Sequence, residues 1–550
     1  MSSTVSAPQT DAPPIYAQVA LPIHLRKLFT YRLPLSMQQA VRVGSRVIVR
    51  LGTKPMTGYV VALLPRLREG TSLVESEIKE VEELLEVEPS LTSEVVEIAR
   101  WVSDYYDAPL GEVMRAALPA GINTSIMQVV AITPKGREVI EAVSVPPAVA
   151  GGSAKEQALQ TLADEGEAEL NAFCLRMGSA QIPKWLRDLE REGLVERSYR
   201  ARATATRAKR RRAVRLIGSL DEAGGRITAA QRRAVEVLTS HNREMAVADL
   251  ISTAHISEAV IVTLKKKGVV EEFEQEVRRD PLARAELPQS ETFELTDAQG
   301  QALTAIEGAI RETEFAPFLL HGITGSGKTE VYIRAMRNAL ESGRGAMMLV
   351  PEISLTPILS RRLRAHFGDQ IAIFHSSLSR GERFDEWSRL RTGAARVVLG
   401  TRSAVFAPVT NLGLIIIDEE QDASYRQEES PFYNARDTAI VRAQKESATV
   451  VLGSATPSLE SFHNAQTGRY QYLNLPQRIG QRSLAKAELV DMRAVFARHK
   501  KPAVFSDDLI DGIEQARVRG EQSIILLNRR GYSSFILCRS CGESIMCPNC

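Results

Sequence analysis

The chain has 550 residues, 44% hydrophobic and 25% charged, and its 69 Lys+Arg against 67 Asp+Glu leave a formal charge of only +2. That length suggests about three to five domains, the composition excludes a disordered or fibrous chain, and the near-neutral balance excludes a globally basic nucleic-acid binder, so any DNA face must be local. No apolar stretch reaches the roughly 18 residues needed to span a bilayer, which points to a cytoplasmic protein with no membrane partner.

Residues 1–14 are rich in Ser, Thr, Ala and Pro, lack the basic-then-apolar order of a secretion signal, and read as a loose tail. Between Ile15 and Leu64, short runs such as Tyr16-Ala17-Gln18-Val19-Ala20-Leu21 and Gly58-Tyr59-Val60-Val61-Ala62-Leu63 alternate apolar and polar residues between glycines, which predicts a small twisted β-barrel. A helical pattern follows from Leu91 to Ala108; its rings Trp101, Tyr105 and Tyr106 read as core rather than as a ligand platform. Pro146-Pro147 and Gly151-Gly152-Ser153 read as a linker.

Over residues 150–285 the pattern is helical and appears twice. Leu189-Glu190-Arg191-Glu192-Gly193-Leu194-Val195-Glu196 matches Leu264-Lys265-Lys266-Lys267-Gly268-Val269-Val270-Glu271, a helix, a glycine and a strand opening, as a winged helix ends. Two winged helices in tandem are expected. The basic run Arg207 to Arg215 between them is open to two readings, a solvated linker or a phosphate-binding strip.

From Leu295 onward apolar strands alternate with helices: Phe318 to His321, Ala346 to Val350, Arg396 to Leu399, Leu414 to Asp418, Thr449 to Leu452 and Ser523 to Leu527. This implies parallel βαβ units with a site along the strands' C-terminal ends. The first strand runs into Gly322-Ile323-Thr324-Gly325-Ser326-Gly327-Lys328-Thr329, a P-loop, where missing side chains let successive amides converge on phosphate oxygens at a helix N-terminus. Lys328 is expected to meet the β- and γ-phosphates of ATP, and the Thr329 hydroxyl to help hold Mg²⁺. Leu412-Gly413-Leu414-Ile415-Ile416-Ile417-Asp418-Glu419-Glu420-Gln421 supplies the partner strand. Asp418 is the second Mg²⁺ group, and Glu419 is placed to orient or deprotonate the attacking water.

Further on, Asp422 to Asp437 form a polar segment with Tyr425, Arg426, Phe432, Tyr433 and Arg436, residues able to stack bases and contact phosphates, although rings covering a core edge are the other reading. Of the 5 cysteines, Cys174 reads as a buried small hydrophobe. Cys538-x-x-Cys541 and Cys547-x-x-Cys550 have spacings that favour zinc over disulfides in a reducing compartment.

Together these motifs resemble the superfamily 2 helicases, specifically the primosomal replication-restart helicases of the PriA type. Leu295-Thr296-Asp297-Ala298-Gln299 is similar to the family's adenine-reading Gln motif, so Gln299 joins the ATP-binding set with the P-loop residues and Gln421. Val350 to Pro357 resembles motif Ia, Gly400 to Phe406 the segment whose Thr401 and Arg402 touch DNA phosphates, and Gly453-Ser454-Ala455-Thr456-Pro457 motif III. Val19-Ala20-Leu21-Pro22 and Phe29-Thr30-Tyr31 look like the 3′-end-binding barrel, and the aromatic segment looks like the loop that links DNA contact to hydrolysis. The resemblance implies a multidomain α/β protein. It comprises a 3′-DNA-binding barrel-like domain at 15–120, the winged-helix region, a RecA-like first helicase lobe at 290–480, the start of a second lobe at 481–537 and of a zinc-binding insertion at 538–550. In the family, cysteine pairs interleave between zinc ions, so these four need not share one.

The implied activity is ATP-dependent 3′ to 5′ unwinding at stalled or collapsed replication forks and D-loops, leading to primosome assembly. Implied partners are single-stranded and forked DNA, other primosome proteins, single-stranded DNA-binding protein and the replicative helicase loader. The chain departs from the family pattern in three ways. Gln421 stands where His is usual but keeps a donor and an acceptor for Ser454 and Thr456. Thr30 replaces an Asp that contacts the terminal 3′-hydroxyl, which predicts weaker 3′-end specificity. Motifs V and VI lie beyond residue 550 in the family, so the sequence is read as the front of a longer protein. Two alternatives stand beside the helicase: a branched-DNA scaffold that does not unwind, and another superfamily 2 translocase such as a restriction or remodelling motor, against which the barrel and the cysteines argue.

Overall fold

The computed structural model describes residues 14–67, 75–86, 88–119, 126–142, 154–179, 182–201, 209–218, 227–283, 285–289, 293–352, 354–481, 486–499 and 504–526. Residues 1–479 form one unit and 480–550 another.

Alternating residues at the N-terminus form a five-stranded antiparallel sheet of β1 (Tyr16–Ala20), β2 (Leu28–Arg32), β3 (Arg46–Leu51), β4 (Lys54–Leu64) and β5 (Glu83–Leu84), in the order β2-β1-β4-β3-β5. A bulge between Gln18 and Val19 adds curvature. The segment around β5 closes the sheet. Its start bonds to Arg32 at the β2 edge, and Glu83–Leu84 pairs with β3 at the other. Val19, Leu21, Tyr31, Val47, Val49 and Val60 fill the interior.

Thr92 caps α1 (Ser93–Tyr105) by accepting from the Val95 amide, and α2 (Leu110–Ala117) follows. Their apolar faces do not complete a separate core. Val95, Ile98, Val102, Val113 and Met114 share one cluster with Phe406, Tyr433 and Ala439 of the helicase-like lobe. Trp101, Tyr105 and Tyr106 pack on one another, Trp101 stacked on Tyr105 at 4.8 Å, yet Tyr105 remains exposed.

Two small units come next. In the first, β6 (Ile126–Ile132), β7 (Glu167–Glu169) and β8 (Val195–Ala201) make a sheet beside α3 (Pro134–Ala142), α4 (Ala154–Glu165), α5 (Leu170–Arg176) and α6 (Lys184–Arg191). β6 precedes residue 143 yet pairs with β8 throughout, so this unit draws on both sides of the expected linker, whose residues 146–153 lie outside the described ones. Cys174 is buried here, as expected. The second unit contains β9 (Lys209–Leu216), α7 (Ala229–Ser240), β10 (Glu244–Ala246), α8 (Val247–Ala254), α9 (Glu258–Lys266) and β11 (Val270–Val277).

The repeated motif has one geometry in both units. Gly193 and Gly268 adopt φ of 72° and 69°, and the next amide, Leu194 or Val269, donates back to Leu189 or Leu264. The basic run is no linker in its described part. It is β9, the central strand, and its arginines face carboxylates: Arg210 pairs with Glu274, Arg211 with Asp249, Arg212 with Glu258 and Glu272, Arg215 with Glu244.

The third part is a seven-stranded parallel sheet in the order β14-β15-β13-β16-β19-β12-β20. Its strands are β12 (Ala316–Gly322), β13 (Gly345–Leu349), β14 (Ile371–Phe374), β15 (Val397–Gly400), β16 (Leu412–Asp418), β19 (Thr449–Ser454) and β20 (Gln471–Leu475); a small hairpin of β17 (Arg426–Gln427) and β18 (Tyr433–Asn434) stands apart. The central strands are continuous apolar runs because α10 (Asp297–Glu312), α11 (Lys328–Glu341), α12 (Pro357–Phe367), α13 (Arg380–Arg391), α14 (Ala435–Lys445) and α15 (Leu459–Gln466) accompany the sheet. β14 and β20 were not foreseen.

The unit from 480 contains α16 (Met492–His499) and α17 (Asp507–Val518). The expected strand at Ser523 to Leu527 is not formed over its described residues 523–526, where Ile524 and Leu526 are exposed and no strand among the described residues pairs with them. Cys538, Cys541, Cys547 and Cys550 lie outside the described residues. Among those described, no single helix is long and apolar enough to cross a membrane.

Arg442 of α14 is buried and donates to Val405 O at 2.7 Å and Ala407 O at 2.9 Å, while its Nε meets Glu446 at 2.6 Å. Arg442→Ala strands these acceptors and should cost about 3–5 kcal/mol, read as a fall of several degrees in the thermal midpoint. A midpoint equal to the parent's would contradict this account.

Candidate nucleotide and nucleic-acid site

β12 delivers the chain into the loop 323–327, and α11 begins at Lys328. Gly325 and Gly327 both have φ of 82°, a conformation that side-chain-bearing residues avoid. A Cβ on Gly327 would lie 2.3 Å from Gln299 Nε2, and one on Gly322 2.5 Å from Ser326 Oγ. Lys328 Nζ donates to Gly322 O at 2.8 Å. Gln299 sits in the first turn of α10, where Thr296 caps the helix; its Oε1 accepts from Thr296 N at 2.9 Å and its Nε2 donates to Ser326 O at 2.8 Å. Gln299 therefore braces the loop, and these two bonds use one N–H and one lone pair of its amide.

The loop faces the tip of β16 across a cleft of about 500 Å³, lined by Phe293, Gln299, Thr324 through Glu330, Arg362, Asp418 and Glu419. Ser326 Oγ is buried with no partner among the described residues, an acceptor or donor left for a ligand. Asp418 Oδ1 accepts from the Tyr332 hydroxyl at 2.9 Å. Tyr332 reaches it because Gly453, opposite Asp418 in the sheet, carries no side chain; a Cβ there would lie 1.7 Å from the Tyr332 oxygen. Burial pushes the Asp418 carboxyl above its ordinary range, and neighbouring Glu419 pushes the same way, while the Tyr332 hydrogen bond and the Lys328 charge oppose them. The Thr329 hydroxyl and Asp418 carboxylate are hard oxygen donors that suit Mg²⁺ beside a phosphate.

Glu419 takes φ of 47°, a strained value for this residue. Its Oε2 accepts from Gln421 Nε2 at 2.9 Å, Gln421 Oε1 accepts from Ser454 Oγ at 2.6 Å, and Ser454 Oγ accepts from Thr456 N at 2.9 Å. The link expected of Gln421 is therefore present, with its amide using both of its faces. Glu420 turns inward, 1% exposed, and accepts from Ser458 N at 2.7 Å, Ser461 Oγ at 2.9 Å and Arg436 Nη1 at 3.1 Å.

The residues expected to meet DNA divide. Tyr425 is 1% exposed, its hydroxyl donating to Asp418 O at 2.6 Å with Leu349 O 3.0 Å away. Tyr433 is 4% exposed and packs edge-on against Phe406 at 5.3 Å. Neither offers a ring face to a base, so both are corrected from stacking platforms to core. Phe432, 55% exposed, and Arg426 reach solvent. Thr401 is buried after β15, and Arg402 leans on Ser424 O and Arg426 O, propping the loop.

Sequence reasoning missed Tyr332, Glu420 and Arg362. Tyr332 lies four residues after Lys328, on the helix face turned to the site. Arg362 reaches the cleft beside Glu330, 3.4 Å away.

Comparison with known proteins agrees with this geometry. A family model described as "3'DNA-binding domain (3'BD)" matches residues 18–119, and one described as "DEAD/DEAH box helicase" matches residues 296–465, which include the P-loop and the Asp418 strand. The replication restart protein PriA of Bacillus subtilis (strain 168) is 36% identical over 97% of this chain and 65% of its own length. The chain is similar to PriA proteins along nearly its whole length. Further PriA relatives from Synechocystis, at 35% identity, and Haemophilus influenzae, at 30%, cover 95% and 97% of it. The chain spans 61 to 65% of the length of these three relatives.

Gly453→Ala should drive the Tyr332 hydroxyl off Asp418 and destabilise the lobe by about 1–3 kcal/mol, with Tyr332→Phe added to it restoring part of the loss. A double variant no more stable than Gly453→Ala alone would place the strain elsewhere.

Proposed function

We propose that the protein is an ATP-dependent DNA helicase that translocates 3′ to 5′, recognises stalled or collapsed forks and D-loops, and initiates primosome assembly for replication restart. The observation that carries this reading is the bridge from Glu419 through Gln421 to Ser454. It ties the carboxylate assigned to water activation to a second strand tip. Beside it, Glu420 holds Arg436 at the end of the segment bearing Phe432 and Arg426. In this reading nucleotide chemistry and strand contact share one edge of the sheet.

The loop amides and Lys328 take the triphosphate, and Glu419 orients the attacking water. Mg²⁺, which neutralises charge on the phosphates, would be held by Thr329 and Asp418. Single-stranded DNA crosses the edge near Arg402, Arg426 and Phe432, while the N-terminal sheet takes a 3′ end, less selectively than an Asp at position 30 would allow. Similarity to PriA proteins supports single-stranded DNA-binding protein, other primosome proteins and the replicative helicase loader as partners. The four C-terminal cysteines would bind zinc. The burial of Tyr425 and Tyr433 favours a second reading, a branched-DNA scaffold with weak or no ATPase activity, because fewer rings remain to grip a moving strand.

The complete protein should hydrolyse ATP faster with single-stranded DNA, and Lys328→Ala should lower that rate by roughly 10²–10³-fold. Equal rates in the two proteins would remove the site, and tight fork binding without ATP-dependent strand displacement would favour the scaffold. Phe432→Ala should weaken DNA stimulation by about 1–3 kcal/mol, whereas Tyr433→Ala should first cost stability, by about 3–5 kcal/mol. The reverse pattern would return Tyr433 to the DNA. Metal analysis of the purified complete protein should find zinc; its absence would withdraw that assignment.

A further inference from the structure

Glu112 lies in the first turn of α2 and is only 2% exposed. A carboxylate so deeply buried must be satisfied on both oxygens, and its partners come from distant parts of the chain. Oε1 meets His24 Nδ1 at 2.8 Å, in the loop that leaves β1; Oε2 accepts from the Ser430 hydroxyl, in the middle of the segment between the ATP carboxylates and α14. The helix can approach β1 this closely because of Gly111, where a Cβ would lie 1.9 Å from Leu21 O. Leu21 itself is in the core of the N-terminal sheet.

A second tie holds the far end of the same segment. The Tyr106 hydroxyl of the α1–α2 pair reaches Asp437 Oδ2 at 3.4 Å, Asp437 accepts from Arg436 Nε at 3.0 Å, and Arg436 holds Glu420. Exposed Phe432 sits between the two ties. The helices share their apolar core with Tyr433 and Phe406, so the N-terminal module and this segment are packed into one core.

We propose that Glu112 is a positioning residue through which the N-terminal sheet holds the 422–434 segment, so that a strand end seated near Leu21–His24 changes how readily DNA at Phe432 stimulates hydrolysis. This deepens the helicase reading and rests on it. Displacing the His24 loop cannot be absorbed locally, because releasing either oxygen leaves a buried charge short of a partner. The motion passes to Ser430.

The test uses the complete protein with Glu112→Ala, Glu112→Gln and Ser430→Ala. Basal hydrolysis should stay at the parent rate. The concentration of 3′-ended single-stranded DNA that gives half-maximal stimulation should rise about tenfold in Glu112→Ala and Ser430→Ala. Glu112→Gln, which still offers Ser430 an oxygen, should stay within about twofold. Amide exchange across 426–434 should quicken in the first two variants without DNA. Folded Ser430→Ala with the parent stimulation curve would overturn the proposal even if Glu112→Ala failed to fold. Should the parent itself show no DNA stimulation, the helicase reading falls, and unchanged exchange at 426–434 in the variants would overturn the tie separately.

Discussion

Three consecutive carboxylates at the end of a buried strand repel one another, and their accommodation governs the rest of the site. Two unit charges about 4 Å apart at a protein edge oppose each other by about 4 kcal/mol. The chain answers by sending Asp418, Glu419 and Glu420 in different directions. The left-handed φ at Glu419 turns the backbone between its neighbours, and each carboxylate meets its own donors: Tyr332 for Asp418, Gln421 for Glu419, Arg436 with Ser458 and Ser461 for Glu420.

Those separate donor sets are also the wiring of the site. Tyr332 belongs to the helix that starts at the P-loop, Gln421 leads to the β19 tip, and Arg436 closes the aromatic segment. A change in charge or position at any one carboxylate is therefore felt on a different structural element. Gly453 shows how tightly these elements interlock, since one methyl group there collides with Tyr332.

Much of this was legible in the sequence where the signal is local. The P-loop and the apolar run into Asp418-Glu419 are short patterns whose chemistry demands those residues at that spacing, and the donor-and-acceptor character of Gln421 anticipated its bridge. Signals set by distant partners were not legible. Tyr425 and Tyr433 look like exposed rings because the surfaces that bury them, Leu349 and Phe406, lie far away in the chain. The run Lys209–Leu216 looks like a linker until Glu258, Glu272 and Glu274 are brought beside it. β6 was separated from its partner β8 by the 146–153 stretch, and Glu112 gave no sign of joining two modules.

The central claim is that the β16 tip connects nucleotide to strand through Glu420. The most direct test is Glu420→Gln in the complete protein, comparing nucleotide affinity with the DNA dependence of hydrolysis. The account predicts unchanged nucleotide affinity and a DNA response weakened about tenfold, because Arg436 loses its buried counter-charge. A full DNA response, or nucleotide binding lost together with it, would contradict the separation of roles among the three carboxylates.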